Sequence, residues 1–372
     1  MPRGTSKLYF SPLKRGDRGI KTLTETYCLT GEMMLSFSIV PNFVFCVFRQ
    51  IRIYPSMNKL LTIAIPTYNR AELLDKQLAW LAQAIKNFES QCEIIVSDNC
   101  SKDDTPNVIK KWQPIFSNTE FQLKKNSENI GAVRNIASCI KAAKGKFVWV
   151  ISDDDKIFNN TISYIVNNLI ENPDLGLIIL NFSKSDAKTG EVFEPRCFDI
   201  ENDELSTNGK ILFERCAEQS IGGVGLTTAL VYRTDLAQRA IDNWSSGLNN
   251  MAVQIYWTGF CAYHASVKVT KDNYLECVAG THYFMQIPKL LVTLEYADIP
   301  EVLLRLRKIG YSNNFSRKMV LGCLFKFNWR VLLGAFRRWP LIAIEAMMRY
   351  IRYLFDSLFT SYVVNQMEDK KS

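Results

Sequence analysis

A regular alternation of short apolar runs and amphipathic stretches between residues 60 and 157 restricts this chain to one class of fold. The predicted strands are residues 60–65, 93–97, 121–123 and 146–152. Between them, helical periodicity marks residues 70–88, 105–112 and 130–143. Strands and helices that alternate at this spacing form right-handed βαβ units around a mostly parallel sheet. The sequence therefore predicts an α/β fold whose sheet is flanked by helices.

Three consecutive aspartates follow the last of these strands. Asp153, Asp154 and Asp155 come directly after residues 147–152, whose β-branched and aromatic side chains are typical of a buried parallel strand. Open α/β folds bind ligands at the carboxyl ends of their strands, and carboxylate oxygens suit Mg²⁺ or Mn²⁺. By itself, the triplet fits a solvated acidic turn better than a metal–diphosphate site. The other strand ends decide between the two.

Polar clusters follow the three earlier strands as well, and the carboxyl ends of parallel strands meet at one crevice. The clusters comprise Pro66, Thr67, Tyr68, Asn69 and Arg70 after the first strand, Asp98, Asn99 and Ser101 after the second, and Gly131 and Arg134 after the third. Tyr68 can stack on a base or ribose, and Asp98 can accept a hydrogen bond from either. Gly131 allows a ligand to approach a helix N-terminus, and Arg134 can address a phosphate. Each could singly be a turn, cap or surface residue, but together they predict a nucleotide site.

Residues 60–157 resemble the nucleotide-sugar-binding half of family 2 glycosyltransferases, which have the GT-A fold. The matching segments are I-P-T-Y-N-R at 65–70, S-D-N-x-S-x-D-x-T at 97–105, N-x-G-x-x-x-N at 129–135 and S-D-D-D at 152–155. The resemblance implies metal-dependent transfer of a sugar, with inversion, from a nucleotide diphosphate donor to a saccharide hydroxyl. It also implies that Pro66, Tyr68 and Asp98 hold the nucleoside. Asp154 or Asp155 would bind Mg²⁺ or Mn²⁺, with Asp153 nearby.

Ser152 departs from the commoner family pattern, in which Asp occupies this position. The S-D-D-D form is similar to a subgroup that acts on deoxysugars in bacterial surface polysaccharides. This likeness implies a saccharide or lipid-linked saccharide acceptor in the synthesis of an O-antigen-like or capsule-like polymer.

The general base is harder to place, because it must be an ionised group within hydrogen-bond reach of the acceptor hydroxyl. Inverting family members carry Asp or Glu there, yet residues 243–271 of this sequence contain neither. Asp242 is the candidate base, and His264 is a weaker one.

Positive charge is concentrated at the two ends of the chain. Lys and Arg outnumber Asp and Glu by eight to three in residues 1–56 and by eleven to one in residues 305–352, whereas residues 57–304 carry 24 against 30. We expect residues 1–56 to be a leader that is disordered or outside the mature fold. Residues 57–300 would form the GT-A domain, with the nucleotide-sugar half at 57–157 and the acceptor half at 158–300. Residues 301–372 would be a basic amphipathic helical extension.

Basic amphipathic helices either lie on anionic membranes or pack on a protein core with their charged ends in solvent. A lipid-linked acceptor favours the membrane. Ten cysteines without C-x-x-C pairs indicate a reducing cytosol. We therefore expect a cytoplasmic protein that is peripheral on the cytoplasmic face of the membrane.

Three other functions are compatible with parts of the sequence. A nucleotidyltransferase also holds Mg²⁺ with carboxylates, but the Gly-rich, Lys-containing loop near its first strand is absent here. A catalytically silent nucleotide-binding or scaffold protein would explain the missing base. Nucleic-acid binding ranks last, because the chain is not uniformly basic.

Overall fold

The computed structural model describes residues 23–28, 34–40, 43–47, 59–279, 288–325 and 329–368 of the chain. It contains two compact units, which divide at residue 58. In the first unit, strands β1 (Leu23–Cys28), β2 (Met34–Val40) and β3 (Phe43–Val47) form an antiparallel sheet in that order. Most of residues 1–56 lie outside the described residues, so their assignment as a leader stays a prediction.

The second unit spans residues 59–372 and contains both the predicted GT-A domain and the predicted extension. Its strands are β4 (Leu61–Thr67), β5 (Cys92–Asp98), β6 (Glu120–Lys125), β7 (Phe147–Val150), β8 (Lys156–Ile157), β9 (Leu175–Asp186), β10 (Val192–Glu194), β11 (Glu204–Ser206), β12 (Leu230–Arg233) and β13 (Ser266–Ala279). Its helices are α1 (Ala71–Ala84), α2 (Thr105–Trp112), α3 (Ala132–Ala142), α4 (Thr161–Glu171), α5 (Gly209–Gln219), α6 (Thr234–Asn243), α7 (Val253–His264), α8 (Pro288–Thr293), α9 (Ile299–Lys308), α10 (Asn313–Phe325), α11 (Trp329–Arg338) and α12 (Pro340–Glu368).

One sheet runs through this unit in the order β11-β13-β9-β12-β7-β4-β5-β6, with β10 on β9 and β8 on β13. Strands β7, β4, β5 and β6 are mutually parallel, and β9 is parallel to β13. Strand β12 lies antiparallel between β7 and β9. The prediction of a mostly parallel sheet flanked by helices is confirmed. Helix α1 ends at Ala84, four residues before the predicted end.

The apolar composition of the central strands matches their burial. All residues of β5 and β7 are buried, and β4 is buried apart from the partly covered Pro66. Strands covered on both faces need continuous apolar side chains rather than alternation. Helices must therefore lie on both faces of this part of the sheet.

A buried carboxylate organises the turn that leads from α3 into β7. Glu93 Oε1 accepts hydrogen bonds from the backbone N–H groups of Lys144 (2.7 Å) and Gly145 (3.1 Å), and from the Thr62 hydroxyl. Gly145 approaches β4 so closely that a Cβ atom there would lie 2.7 Å from the backbone nitrogen of Thr62. This contact sets where β7, and therefore the aspartate triplet at its end, lies relative to β4.

The start of the predicted extension packs on the rest of the second unit. Val302, Leu303 and Leu306 of α9 are fully buried, and the Tyr311 hydroxyl donates to the backbone oxygen of Gly259 in α7 at 2.8 Å. Within the described residues, no helix has the length and apolar character required to cross a bilayer.

Gly145→Ala should lower the free energy of unfolding by about 1–3 kcal/mol, since the added methyl group must displace the backbone of β4. Gly222 is the matched control, because a Cβ there meets nothing within 4 Å and its φ is −68°. Gly222→Ala should change stability by less than about 0.5 kcal/mol. Urea unfolding followed by circular dichroism measures both. Equal stability of the two variants would contradict this account of the turn.

Candidate functional site

The strand-end clusters meet at one edge of the sheet, as predicted. Thr67 at the end of β4 is in register with Asp98 at the end of β5. Beyond β7, the Ile151 N–H donates to the backbone oxygen of Ala64 at 2.9 Å, so the chain continues alongside β4 as far as the aspartates. The carboxyl ends of three parallel strands thus form one side of a crevice.

Arg70 lies between two of the three aspartates. Its Nη1 atom donates to Asp153 Oδ1 and to Asp154 Oδ2, each at 2.8 Å. The Thr67 hydroxyl donates to the other oxygen of Asp153 at 2.8 Å, and the Ser152 hydroxyl donates to Asp154 Oδ1. The carboxylates of Asp153 and Asp154 are almost fully buried, so they depend on these contacts for the solvation that water supplies elsewhere.

Asp155 is held by Thr228 rather than by Arg70. The buried Thr228 hydroxyl donates to Asp155 Oδ2 at 2.5 Å and accepts from the Ser152 N–H at 2.9 Å. Asp155 Oδ1 is buried and has no hydrogen-bond partner among the described residues. Thr228 lies in the turn before β12. The sequence did not identify it, because Thr228 is distant in the chain from Asp155 and no neighbouring residue indicates the contact.

Burial sets the protonation of this corner. Burial raises the pKa of Asp155 to about 7, and the neighbouring Asp154 adds to the shift. Burial likewise raises the pKa of Asp153, although Arg70 partly counters it. For Arg70 itself, burial lowers the pKa, but Asp153 and Asp154 more than reverse this. Arg70 is therefore firmly cationic, whereas Asp155 titrates near neutral pH.

The turns after β4 and β5 are fastened to each other. Asp98 Oδ1 accepts from the Ser101 N–H at 2.9 Å, and Ser101 Oγ accepts from the Asn69 N–H at 2.9 Å. Asn69 Oδ1 accepts in turn from the Lys102 N–H at 2.7 Å. Asn69 has φ 51°, a left-handed conformation that Asn tolerates better than most residues. Asn69 and Ser101 therefore shape the turn that carries Arg70.

Asp103 caps the helices on both sides of this junction. Its Oδ2 atom accepts from the Ala71 N–H at the start of α1 at 3.0 Å, and its Oδ1 atom accepts from the Thr105 N–H at the start of α2 at 3.1 Å. One carboxylate thus replaces the missing intrahelical partners of two helix starts.

The third cluster is built around asparagine side chains. Asn99 Oδ1 accepts from the Ile130 N–H at 3.0 Å, and Asn99 Nδ2 donates to Asn129 Oδ1 at 2.8 Å. Asn129 Oδ1 also accepts from the Gly131 N–H at 2.9 Å, and Gly131 has φ 86°, which favours glycine. Asn99 therefore shapes the loop before α3. Tyr68 is 39% exposed beside this edge.

Arg134 contacts the second half of the domain. Its Nη2 atom donates to Asn249 Oδ1 at 2.5 Å. Asn249 ends the 3₁₀ turn Ser245–Asn249, which therefore lies over the N-terminal part of α3. The contact of Arg134 with a phosphate stays a prediction.

The two candidate bases lie away from the aspartates. Asp242 is 67% exposed and pairs at 2.6 Å with Lys141, which is two turns beyond Arg134 toward the far end of α3. His264 packs its ring on Phe260, one residue before β13 begins at the opposite edge of the sheet. The structure does not bring Asp242 or His264 to the crevice.

A buried carboxylate from the C-terminal helices holds the segment next to Asn249. Asp298 Oδ2 accepts from the Met251 N–H at 3.1 Å, and the Asp298 backbone oxygen accepts from Asn250 Nδ2 at 3.0 Å. Burial raises the pKa of Asp298 to about 6, and Arg349 of α12, 3.7 Å away, favours its charged form. Sequence reasoning missed Asp298 because its partners are about 50 residues away on either side.

Asp155→Asn should make the protein more stable than the wild type at pH 8, and this difference in stability should become smaller as the pH is lowered to 5. A carboxyl group whose pKa is higher in the folded state costs stability as the pH rises from its unfolded pKa, near 3.8, through its folded pKa, near 7. Thermal unfolding midpoints from pH 5 to 8 measure this difference. The exposed Asp174→Asn is the control and should show no such pH dependence. A wild type more stable than Asp155→Asn at pH 8 would contradict it.

Comparisons with known proteins agree with this geometry. Residues 62–233 match the family model described as glycosyl transferase family 2. Abequosyltransferase RfbV of Salmonella typhimurium is 30% identical over 171 residues, which cover 44% of this chain and 50% of the relative. A Campylobacter jejuni GalNAc(5)-diNAcBac-PP-undecaprenol beta-1,3-glucosyltransferase is 32% identical over 115 residues, 30% of this chain and 35% of the relative. The chain thus spans half or less of the length of these curated relatives.

Among solved structures, residues 1–349 of Staphylococcus aureus TarS in complex with UDP-GlcNAc superpose with a TM-score of 0.56 at 18% identity. The superposition covers 79% of this chain and 81% of the TarS chain. An identity this low bears on the fold alone, and that fold is GT-A. The likeness to family 2 glycosyltransferases in sequence thus covers residues 62–233, and the likeness in fold extends over most of the chain.

Proposed function

We propose that this protein transfers a sugar from a nucleotide diphosphate donor to a hydroxyl group of a saccharide acceptor in the synthesis of a bacterial surface polysaccharide. The convergence of Tyr68, Arg70, Asp98 and residues 153–155 at one sheet edge is the observation that carries the proposal. The family match over residues 62–233 favours sugar transfer over nucleotidyl transfer or a silent scaffold.

The donor would lie along the ends of β4, β5 and β7. Tyr68 would stack on the base or ribose, Pro66 would fix the turn beneath it, and Asp98 would accept from a polar group of the nucleoside. Thr67, Asn69, Asn99 and Ser101 would act mainly through the turns that they hold. The TarS structure contains UDP-GlcNAc, which supports a nucleotide sugar as the donor class.

The aspartate corner fits a divalent cation in its donor chemistry. The site offers carboxylate and hydroxyl oxygens, and the buried Asp155 Oδ1 has no hydrogen-bond partner among the described residues. No three acidic, histidine or cysteine side chains surround one point there as metal ligands do, in the part of the chain that the structure describes. Mg²⁺ and Mn²⁺ are commonly held by one or two carboxylates plus substrate phosphates, so Asp154 and Asp155 would suffice. When bound, the cation would neutralise charge on the departing diphosphate.

Arg70 would also neutralise charge on the departing diphosphate. Its guanidinium already balances Asp153 and Asp154 and lies within 2.8 Å of both. A diphosphate that entered the crevice would compete for its donors, and Arg is suited to such oxygen pairs. Arg70 would thus orient the donor, while Asp153 orients Arg70.

The acceptor would enter on the side of residues 245–251, which Asn249 and Asn250 hold between α3 and α9. The relative from Campylobacter jejuni is named for a lipid-linked saccharide, which supports a lipid-linked acceptor. Ser152 and the match to an abequosyltransferase support a deoxysugar donor. We propose inversion at the anomeric carbon, with the base not assigned.

We also propose that the protein works at the cytoplasmic face of the membrane. The eleven basic residues against one acidic residue between positions 305 and 352 support this location, as does a lipid-linked acceptor.

Asp154→Ala and Asp155→Ala should each lower the rate of sugar transfer by at least about 10²-fold, because each removes a ligand of the cation that would neutralise charge on the departing diphosphate. The measurement is a screen of UDP-, GDP-, dTDP- and CDP-sugars for hydrolysis, or for transfer to a polysaccharide precursor, with Mn²⁺ or Mg²⁺ and with EDTA. The product's anomeric configuration, read by NMR, tests inversion.

Asp174→Asn is the matched control, since it removes an exposed carboxylate at the other edge of the sheet. It should keep the wild-type rate, and circular dichroism should show that all variants are folded. Full activity of either alanine variant in EDTA would overturn the metal proposal. Binding of nucleotide sugars without turnover on any acceptor would favour a silent nucleotide-binding protein.

Asp242→Asn should keep its transfer rate, because the exposed Asp242 pairs with Lys141 away from the crevice. Loss of a general base lowers a rate by about 10²–10⁴-fold, so the two outcomes are well separated. Initial rates at saturating donor measure the effect. A loss of that size in a folded Asp242→Asn protein would restore Asp242 as the base.

A further inference from the structure

Helix α12 exposes a straight line of large apolar side chains. The line consists of Leu341, Ile344, Met348, Ile351 and Phe355, whose exposed fractions lie between 44% and 81%. Their spacing of three and four residues places them on one face of the helix, over a length of about 21 Å. We call this the α12 stripe. Five exposed apolar residues in one line are more than the scattered ones found on ordinary surfaces.

The opposite face of α12 anchors the helix to the protein. Ala343, Ala346, Tyr350 and Ser357 are buried, and the Tyr350 hydroxyl donates to the backbone oxygen of Val320 in α10 at 2.7 Å. The orientation of α12 is therefore fixed by packing. The stripe faces outward because the other face is occupied.

A basic cavity adjoins the stripe on one side. This cavity, of about 240 Å³, lies between α9 and α12, and four of its lining side chains are basic: Arg305, Arg307, Lys308 and Arg352. The two acidic side chains of its lining are Glu301, which accepts from Arg349 at 3.2 Å, and Asp356. Arg352 follows Ile351 and precedes Phe355 by less than one turn, so it joins the cavity to the stripe.

A second group of cations lies at the start of the stripe. Arg337 and Arg338 end α11, are exposed, and lie four and three residues before Leu341. The apolar line is therefore flanked by positive charge at its N-terminal end and along one side. This combination is typical of helices that lie in the interface of an anionic bilayer.

We propose that the α12 stripe and the adjoining basic cavity form the surface by which this protein docks on an anionic membrane. The stripe would enter the boundary between headgroups and acyl chains, and Lys308 and Arg352 would bind lipid phosphates. This inference rests on the proposed work at a membrane surface and names the face that does it.

A second copy of this chain is the other occupant that such a stripe could accept, since the spacing also fits a coiled-coil seam. Pairing two copies would bring together two surfaces that carry the same excess of positive charge. A bilayer rich in phosphatidylglycerol offers the opposite charge along the whole helix. The charge distribution therefore favours the membrane.

Helix α12 is also linked to the crevice by direct contacts. Arg349 of α12 lies 3.2 Å from Glu301 and 3.7 Å from Asp298, and Asp298 holds the Met251 N–H beside Asn249. A membrane bound to the stripe would thus orient the body that carries residues 245–251. A lipid-linked acceptor, confined to the bilayer surface, would then reach the crevice from a defined direction.

The experiment is co-sedimentation of the full chain with vesicles of phosphatidylcholine alone or mixed with phosphatidylglycerol, at low and high salt. The wild type should bind the mixed vesicles, and salt should weaken the binding. The double substitution Lys308→Gln with Arg352→Gln should weaken it roughly thirty-fold, which corresponds to about 1 kcal/mol for each charge. Ile351→Gln with Phe355→Gln should weaken it at least about tenfold.

Lys141→Gln with Lys144→Gln is the charge-matched control, because both lysines are exposed and pair with surface carboxylates of the catalytic unit. It should bind within roughly threefold of the wild type. All substituted side chains are largely exposed, so the variants should fold, and thermal unfolding checks this.

Wild-type binding by both the stripe and cavity variants would overturn the proposal. So would a dimer, seen by sedimentation equilibrium, that the stripe variant abolishes without any change in vesicle binding. Hydrolysis of a nucleotide sugar in the absence of vesicles separates docking from catalysis, since every variant should keep the wild-type rate. Vesicle binding through the stripe without turnover of any nucleotide sugar would leave docking in place and remove the proposed function.

Discussion

The contact of Arg70 with Asp153 and Asp154 is the interaction on which the site depends. Two like charges 4 Å apart in a medium of effective dielectric constant about 20 repel by about 4 kcal/mol, and burial removes the water that would otherwise screen them. One guanidinium that touches both carboxylates at 2.8 Å offsets this repulsion. Burial raises the pKa of Asp155 to about 7, Asp154 adds to the shift, and Arg70 counters it only in part. Asp153, Asp154 and Asp155 together therefore favour additional positive charge, such as that of a metal ion.

Arg70 can hold this position only because the turn that carries it is fixed. The left-handed Asn69 directs the chain, Ser101 and Asp98 bind that turn from the next strand, and Asp103 caps the helix that follows Arg70. None of these hydrogen bonds involves Asp153, Asp154 or Asp155. These polar residues therefore act through the backbone: they shape two turns, and the turns place the guanidinium of Arg70.

The sequence predicted the strands and helices between residues 60 and 152 well, because the period of the apolar residues and the length of each segment distinguish strands from helices there. It also predicted which side chains meet, since parallel strands bring their carboxyl ends together. It did not reveal Thr228, Asn249 or Asp298. Each acts through hydrogen bonds to residues at least 47 positions away, and nothing in its immediate neighbourhood signals such partners. Asp242 was chosen as the candidate base by its position in the chain alone. Because β12 runs antiparallel to β7, helix α6, which carries Asp242, begins at the edge of the sheet opposite the crevice.

The same long-range contacts explain how a transferase could combine a rigid donor site with a bulky acceptor. The donor side rests on parallel strands whose geometry the core determines. The acceptor side rests on residues 245–251, which are held by one bond from α3 and two from Asp298. Asp298 contacts Arg349 of α12, so the proposed docking surface is linked by direct contacts to the proposed acceptor side. A protein whose acceptor is confined to a surface gains from this arrangement, because docking then positions the half of the crevice that the confined substrate must enter.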